Sequence, residues 1–116
     1  MSKEMIHRRV SSRDMRIYVA QRKQFSNHEC SCYGKYISTG YVVYSYGEHF
    51  PIYFWDKETN SWFGNTNKYS RSTTRHQTDA YPAGVPREEM TWVKHSDLNT
   101  IIYLGAIGAV AGRMGK

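Results

Sequence analysis

Residues 40–82, GYVVYSYGEHFPIYFWDKETNSWFGNTNKYSRSTTRHQTDAYP, decide the fold. Their first half is dense in β-branched and aromatic side chains, the types that suit a pleated, half-buried surface. Along 41–46, Tyr41, Val43 and Ser45 share one face, and Val42, Tyr44 and Tyr46 share the other. Gly47-Glu48 fits a two-residue type II′ hairpin turn, because glycine takes a positive φ at the first position. The return strand spans 49–56. Pro51 cannot donate to a ladder, which places it at an edge or at a bulge. A polar turn at 57–60 leads into 61–64, where the sheet resumes. An antiparallel meander over about 41–64 follows. Phe50, Ile52, Phe54, Trp55, Trp62 and Phe63 supply its core, at ~1.5–3 kcal/mol for each large apolar side chain fully buried. Strand neighbours point to opposite faces, so a second layer has to cover the sheet.

Working outward, residues 1–14 read as a flexible basic arm carrying Lys3, His7, Arg8, Arg9 and Arg13. Residues 15–20, MRIYVA, alternate weakly and suggest a first strand. Residues 21–35 read as a polar connection, and 36–46 as a strand region broken by Gly40. On the other side, the loop PAGVP at 82–86 precedes a short helix over 87–95, with Glu88 and Glu89 near its positive end. Ser96 is a suitable N-cap for a helix over 97–112. Leu98, Ile101, Ile102, Ala106, Ala109 and Val110 then lie on one stripe. Gly105, Gly108 and Gly112 each weaken that helix by nearly ~1 kcal/mol relative to alanine. Their use is close packing, against the sheet or in a homodimer through 96–112. The expectation is a single α+β domain over 15–116, a small antiparallel β-meander covered by a C-terminal helix.

Composition bounds the chemistry. The 116 residues suit one domain, and 40% hydrophobic and 15% aromatic residues argue against disorder. A formal charge of +6 favours polyanion partners, nucleic acid or an acidic protein face, or serves solubility alone. Ten tyrosines offer rings for sheets, interfaces or base stacking. Cys30 and Cys32, one residue apart, suit neither an ordinary disulfide nor, with His28, a four-ligand zinc site. No metal and no cofactor is expected. No stretch has the apolar length of a signal peptide or a membrane span, which sets the expectation of a cytoplasmic protein without a membrane partner.

The polar segment at 65–77 is the candidate site. As a strand it places Lys68, Ser70, Ser72, Thr74 and His76 on one face and Tyr69, Arg71, Thr73, Arg75 and Gln77 on the other. As a helix beginning after Ser72 it clusters Thr73, His76 and Gln77 instead. Lys68, Tyr69, Ser70, Arg71, Thr74, Arg75 and His76 are the expected contacts to nucleic acid or a partner. Cations supply charge, hydroxyls supply oriented donors, and Tyr69 supplies a ring. A metal-independent ribonuclease is the enzymatic alternative. In it His76 moves the proton with His49 as counterpart, and Lys68, Arg71 or Arg75 stabilise the phosphate. Ser70 and Thr74 would then hold the phosphate. No residue is assigned as catalytic, since a polar strand or turn contains the same residue types.

The strings YSYGEHFPI at 44–52 and NTNKYSRSTTRHQ at 65–77 resemble small uncharacterised proteins of tailed bacteriophages. Those proteins pair a YG-x-HFP hairpin with a KYS-x-x-T…HQ polar segment, and the likeness covers about residues 40–82. It implies an infection-stage setting in the host-cell cytoplasm, where small proteins bind host factors, nucleic acid or defence complexes. It carries over no activity. The expected function is thus a non-enzymatic binding protein that engages nucleic acid or a nucleic-acid-handling host defence complex as an inhibitor. The alternatives are the ribonuclease and a dimeric module for an acidic host protein.

Overall fold

The computed structural model describes residues 6–114, with side chains for residues 6–109. Lys3 of the expected arm and the Val110 side chain lie outside the described residues. The fold is α+β and built on one seven-stranded sheet whose spatial order follows the chain. The strands are β1 His7–Val10, β2 Phe25–Asn27, β3 Cys32–Ile37, β4 Gly40–Ser45, β5 Pro51–Asp56, β6 Ser61–Asn65 and β7 Met90–Val93. Helix α1 (Ser12–Ala20) joins β1 to β2, α2 (Arg71–Asp79) lies between β6 and β7, and α3 (His95–Met114) follows β7.

The middle of the sheet, β2 to β6, is antiparallel throughout, whereas β1–β2 and β6–β7 pair in parallel. The sheet is therefore longer than the small meander expected from residues 41–64, and it is mixed. Its ends are βαβ units, and their handedness places the helices. Four antiparallel steps separate β2 from β6, so both units run in the same direction and step the same way along the sheet. Right-handed crossovers then put α1 and α2 on the same face. The packing agrees, because Met15 and Val19 of α1 and Ala80 after α2 join one core cluster with Cys32, Tyr41, Val43, Tyr53 and Trp62. The opposite face carries Val42, Tyr44, Phe54 and Phe63, covered by Leu98 with Ile101, Ile102 and Ala106 of α3.

Local chemistry explains where the sequence expectation fails. Residues 15–20 are helix and not strand, and the arm expected to reach residue 14 is already β1 and α1 from residue 7. Ser11 caps α1, its hydroxyl accepting from Asp14 N at 3.3 Å, and Met15 and Val19 are the buried i,i+4 pair. The connection at 21–35 contains β2 and the start of β3. The hairpin between β4 and β5 is wider than two residues and spans 46–50, with positive φ at Tyr46 (63°) and Gly47 (130°). Pro51 lies beside a bulge: Val43 faces Tyr53 and Tyr44 faces Pro51, leaving Ile52 as the extra residue. The expected helix over 87–95 is a short 3-10 turn, Arg87–Glu89, followed by β7, whose Met90 and Val93 pack against the sheet clusters.

Helix α3 breaks at Gly105, whose φ of 81° and ψ of 162° leave the helical region. Two side chains from the sheet hold the break. Thr39 Oγ1 donates to Ile102 O at 2.6 Å, and Ala106 N donates to Asp56 Oδ1 at 3.2 Å. On either side of it, Tyr103, Leu104 and Ile107 are exposed. Replacing Leu98, fully buried, with alanine should cost about 2–5 kcal/mol through the cavity it leaves. Tyr103→Ala, at an 83% exposed position, should shift stability by less than about 0.5 kcal/mol. Urea unfolding of both variants checks the packing, and equal losses would overturn it.

Candidate functional site: two clefts beside helix α2

The 65–77 segment resolves as a loop and a helix. Ser70 is the N-cap of α2, its hydroxyl accepting from Thr73 N at 3.1 Å. Helical spacing then turns Thr73, His76 and Gln77 inward. The expected site residues consequently do not form one surface. Tyr69, Arg71 and Arg75 are exposed, Thr74 is half-buried with its hydroxyl donating back to Ser70 O at 3.1 Å, and His76 is 8% exposed. Clefts lie on two sides of α2, and α1 contributes to the wall of both.

The first cleft, about 670 Å³, gathers Arg16 of α1, Lys68, Arg87 and an aromatic wall of Tyr53, Tyr81 and Trp92. Among the described residues no carboxylate lines it. Gly64 makes the wall possible. A Cβ there would lie 2.7 Å from the Trp92 ring, so only glycine lets the indole rest on the bare strand. Tyr81 and Trp92 are near-parallel at 6.3 Å, and the Arg87 guanidinium sits over both rings, 5.3 Å and 4.8 Å from their centroids. Glu88 and Glu89 on the same turn moderate this charge. Burial raises the Tyr81 phenol pKa, Arg87 opposes that, and the two glutamates add to it. Lys68 Nζ donates to Gln77 Oε1 at 3.3 Å, which aims the lysine along the cleft, while Gln77 Nε2 donates to Asn65 O and Asn67 O. Of the expected site residues, only Lys68 lies here. Arg16, Arg87, Tyr81 and Trp92 were not singled out from sequence, because they come from segments far apart in the chain.

The second cleft, about 820 Å³, is lined by His76, Arg75, Asp79, Ser31, Glu29 and Tyr46, among others. A chain of polar contacts runs through it. Ser45 Oγ is 3.0 Å from Thr73 Oγ1 and 2.8 Å from His76 Nδ1, and Ser31 Oγ is 3.4 Å from His76 Nε2. The Tyr46 ring lies 5.3 Å from the imidazole. Arg75 Nε is 3.8 Å from Asp79 Oδ2. His49, the expected counterpart of His76, instead meets Tyr69 edge-on at 6.0 Å. The expected ribonuclease residues are brought together only in part: Arg75 shares this cleft with His76, whereas Lys68 is in the other cleft and Arg71 lines neither.

Cys30 is exposed at the rim and Cys32 buried, both as free thiols. Burial, then the Asp79 charge, pushes the Cys32 thiol up to about 12, so it stays protonated and inert. No group of three or more metal-ligating side chains occurs among the described residues, and no helix there is long and apolar enough to cross a membrane. Comparison with known protein families, curated proteins and solved structures returns no match to this chain.

Desolvation lowers the His76 pKa below the ordinary histidine value, partly offset by the Asp79 and Glu29 carboxylates. The unfolded chain then binds the proton more readily than the folded one. The neutral imidazole's contribution is intact above pH ~6.5 and is lost as pH falls through that value towards the lower folded pKa. Urea midpoints between pH 8 and pH 5 should fall less steeply for His76→Gln than for the parent. Parallel curves would show that His76 titrates as it does in water.

Proposed function

We propose that the protein binds single-stranded nucleic acid without cleaving it and that the first cleft is the contact surface. The observation that carries this reading is Arg87 stacked over Trp92 and Tyr81, with Arg16 and Lys68 on the same lining, where no acid stands among the described residues. A single strand offers phosphates to the three cations and an unstacked base to the guanidinium and ring surface. Double-stranded DNA hides its base faces, so it gains only the charge term. The net charge of +6 adds long-range attraction. In the phage setting implied by the resemblance of residues 44–52 and 65–77, such a module acts by occupying nucleic acid that a host defence complex handles.

Binding is favoured over His76-centred cleavage by charge. The lining of the histidine cleft holds Arg75 against Glu29 and Asp79, which disfavours a phosphodiester.

Fluorescence titration of a labelled single-stranded oligonucleotide across salt tests the reading. Log affinity should fall linearly with log salt, and each cation removed by Lys68→Ala or Arg87→Ala should flatten the slope by about 0.7. Arg71→Ala, outside the cleft, should leave affinity within about twofold of the parent, a difference of a few tenths of a kcal/mol. Binding that ignores salt, or that ignores both cleft variants, would overturn the assignment.

A further inference from the structure

The histidine cleft holds a hydroxyl, an imidazole and a second hydroxyl in sequence, and one side chain, Asn27, fixes the hydrogen-bond direction at the Ser31 end. Asn27 Oδ1 accepts from Ser31 N at 2.8 Å and from Cys32 N at 3.1 Å. Those two donors fix the amide orientation, so Asn27 Nδ2 is the atom facing Ser31 Oγ, and it donates there at 3.1 Å. Ser31 Oγ thus receives a hydrogen bond on one lone pair and keeps its own proton to give. His76 Nε2 lies 3.4 Å away, a length at which catalytic contacts sit before substrate tightens them. His76 Nδ1 is held at 2.8 Å by Ser45 Oγ, itself fully buried and anchored to Thr73. With Nδ1–H donating to Ser45, Nε2 is free to accept. The reverse polarity, Ser45 donating to Nδ1, satisfies the same distances and leaves Nε2–H donating to Ser31.

We propose that Ser31 is a nucleophile activated by His76, with Ser45 as the positioning residue, and that the cleft accepts an uncharged acyl ester. The nucleophile, base and orienting group stand in the required order. In the acylation step, Ser31 Oγ bonds to the acyl carbon while its proton passes to His76 Nε2. The bond from that carbon to the leaving alkoxide breaks, and the imidazolium returns the proton to the departing oxygen. Water then attacks the acyl-serine, giving its proton to Nε2, and Ser31 leaves with that proton as the carboxylic acid forms. The Glu29 and Asp79 carboxylates stabilise the imidazolium, while Arg75 on the same lining offers N–H groups to the carbonyl oxygen. The same two carboxylates select against anionic substrates, so this site and the nucleic-acid cleft are independent. A hydroxyl in place of a carboxylate behind His76 makes the base weaker than in a carboxylate-backed triad.

The test uses the full chain with a fluorophosphonate probe and para-nitrophenyl acetate, read by intact mass and peptide mapping. The expected result is one adduct on Ser31, absent in Ser31→Ala, and formed about a hundredfold more slowly in His76→Gln. Cys30→Ser should label like the parent. Ser45→Ala should slow labelling and change its pH profile while the variant still melts cooperatively, and it stands in if His76→Gln fails to fold. An adduct on Cys30, no adduct, or labelling indifferent to Ser45→Ala in a folded variant would overturn the proposal.

Discussion

Every residue of β4, from Gly40 to Ser45, is buried, and that single constraint shapes the rest of the molecule. A strand packed on both faces cannot sit in a two-layer fold with one side in water, so cover is needed above and below. Tyr41 and Val43 find it under α1 and α2, and Val42 and Tyr44 find it under α3. The same strand ends at Ser45, where the alternation places a hydroxyl on the α1/α2 face. That hydroxyl meets Thr73 and His76, so the buried strand also anchors α2 through its polar end. A buried hydroxyl without partners would cost about 1–3 kcal/mol, and here the pairing of strand and helix removes that cost.

The second consequence concerns α3. Its twenty residues do not form one straight helix, because the chain leaves the helical conformation at Gly105. Asp56, 1% exposed, is the residue that turns it. One carboxylate oxygen accepts from Thr59 N and Oγ1 and so closes the β5–β6 turn, and the other receives the Ala106 amide. A single acid thus serves as the turn cap of the hairpin and the N-terminal cap of the second helical segment. A negative group at a helix start is favourable for the macrodipole as well as for the orphan amide. The β3–β4 turn helps from the other side through Thr39, which satisfies a carbonyl that the break leaves open.

What the sequence made legible follows from which signals are local. The alternation of 41–45, the edge or bulge beside Pro51, the polar turn before Ser61 and the stripe Leu98, Ile101, Ile102 are read within one element, and the structure contains each of them. Tyr46, by contrast, leaves the strand at a positive φ and turns its ring to His76 instead of joining Val42 and Tyr44. Residues 15–20 fooled the period-2 reading because Ile17 is 42% exposed while Met15 and Val19 are buried, a spacing that belongs to a helix. Met90–Val93 paired with β6 because a parallel partner was waiting, which no window of its own sequence announces. The inward cluster Thr73, His76 and Gln77 was visible once 71–79 was written as a helix, whereas Ser31 and Ser45 as its partners were not. Contacts spanning 45 and 31 residues depend on sheet order, and the order depended on a βαβ unit at each end.

Those two βαβ units also explain why α2 has a cleft on each side with opposite chemistry. With α1 and α2 on one face of a sheet long enough to separate its end strands, the two helices meet only in part, and a gap opens on either side of their contact. The gap beside β7 receives Arg87 and Trp92 from the chain that returns after α2, together with Arg16 from α1, and becomes cationic and aromatic. The gap beside β3 receives Glu29 and Ser31 from the loop before that strand, together with Asp79 from α2, and becomes acidic and hydroxyl-rich. Helix α2 contributes to both because its 3.6-residue period sends Gln77 to one side and His76 to the other. Neighbouring side chains on one nine-residue helix therefore face two chemistries, and a substitution at Gln77 or at His76 perturbs one cleft directly while the other is reached only through the helix itself.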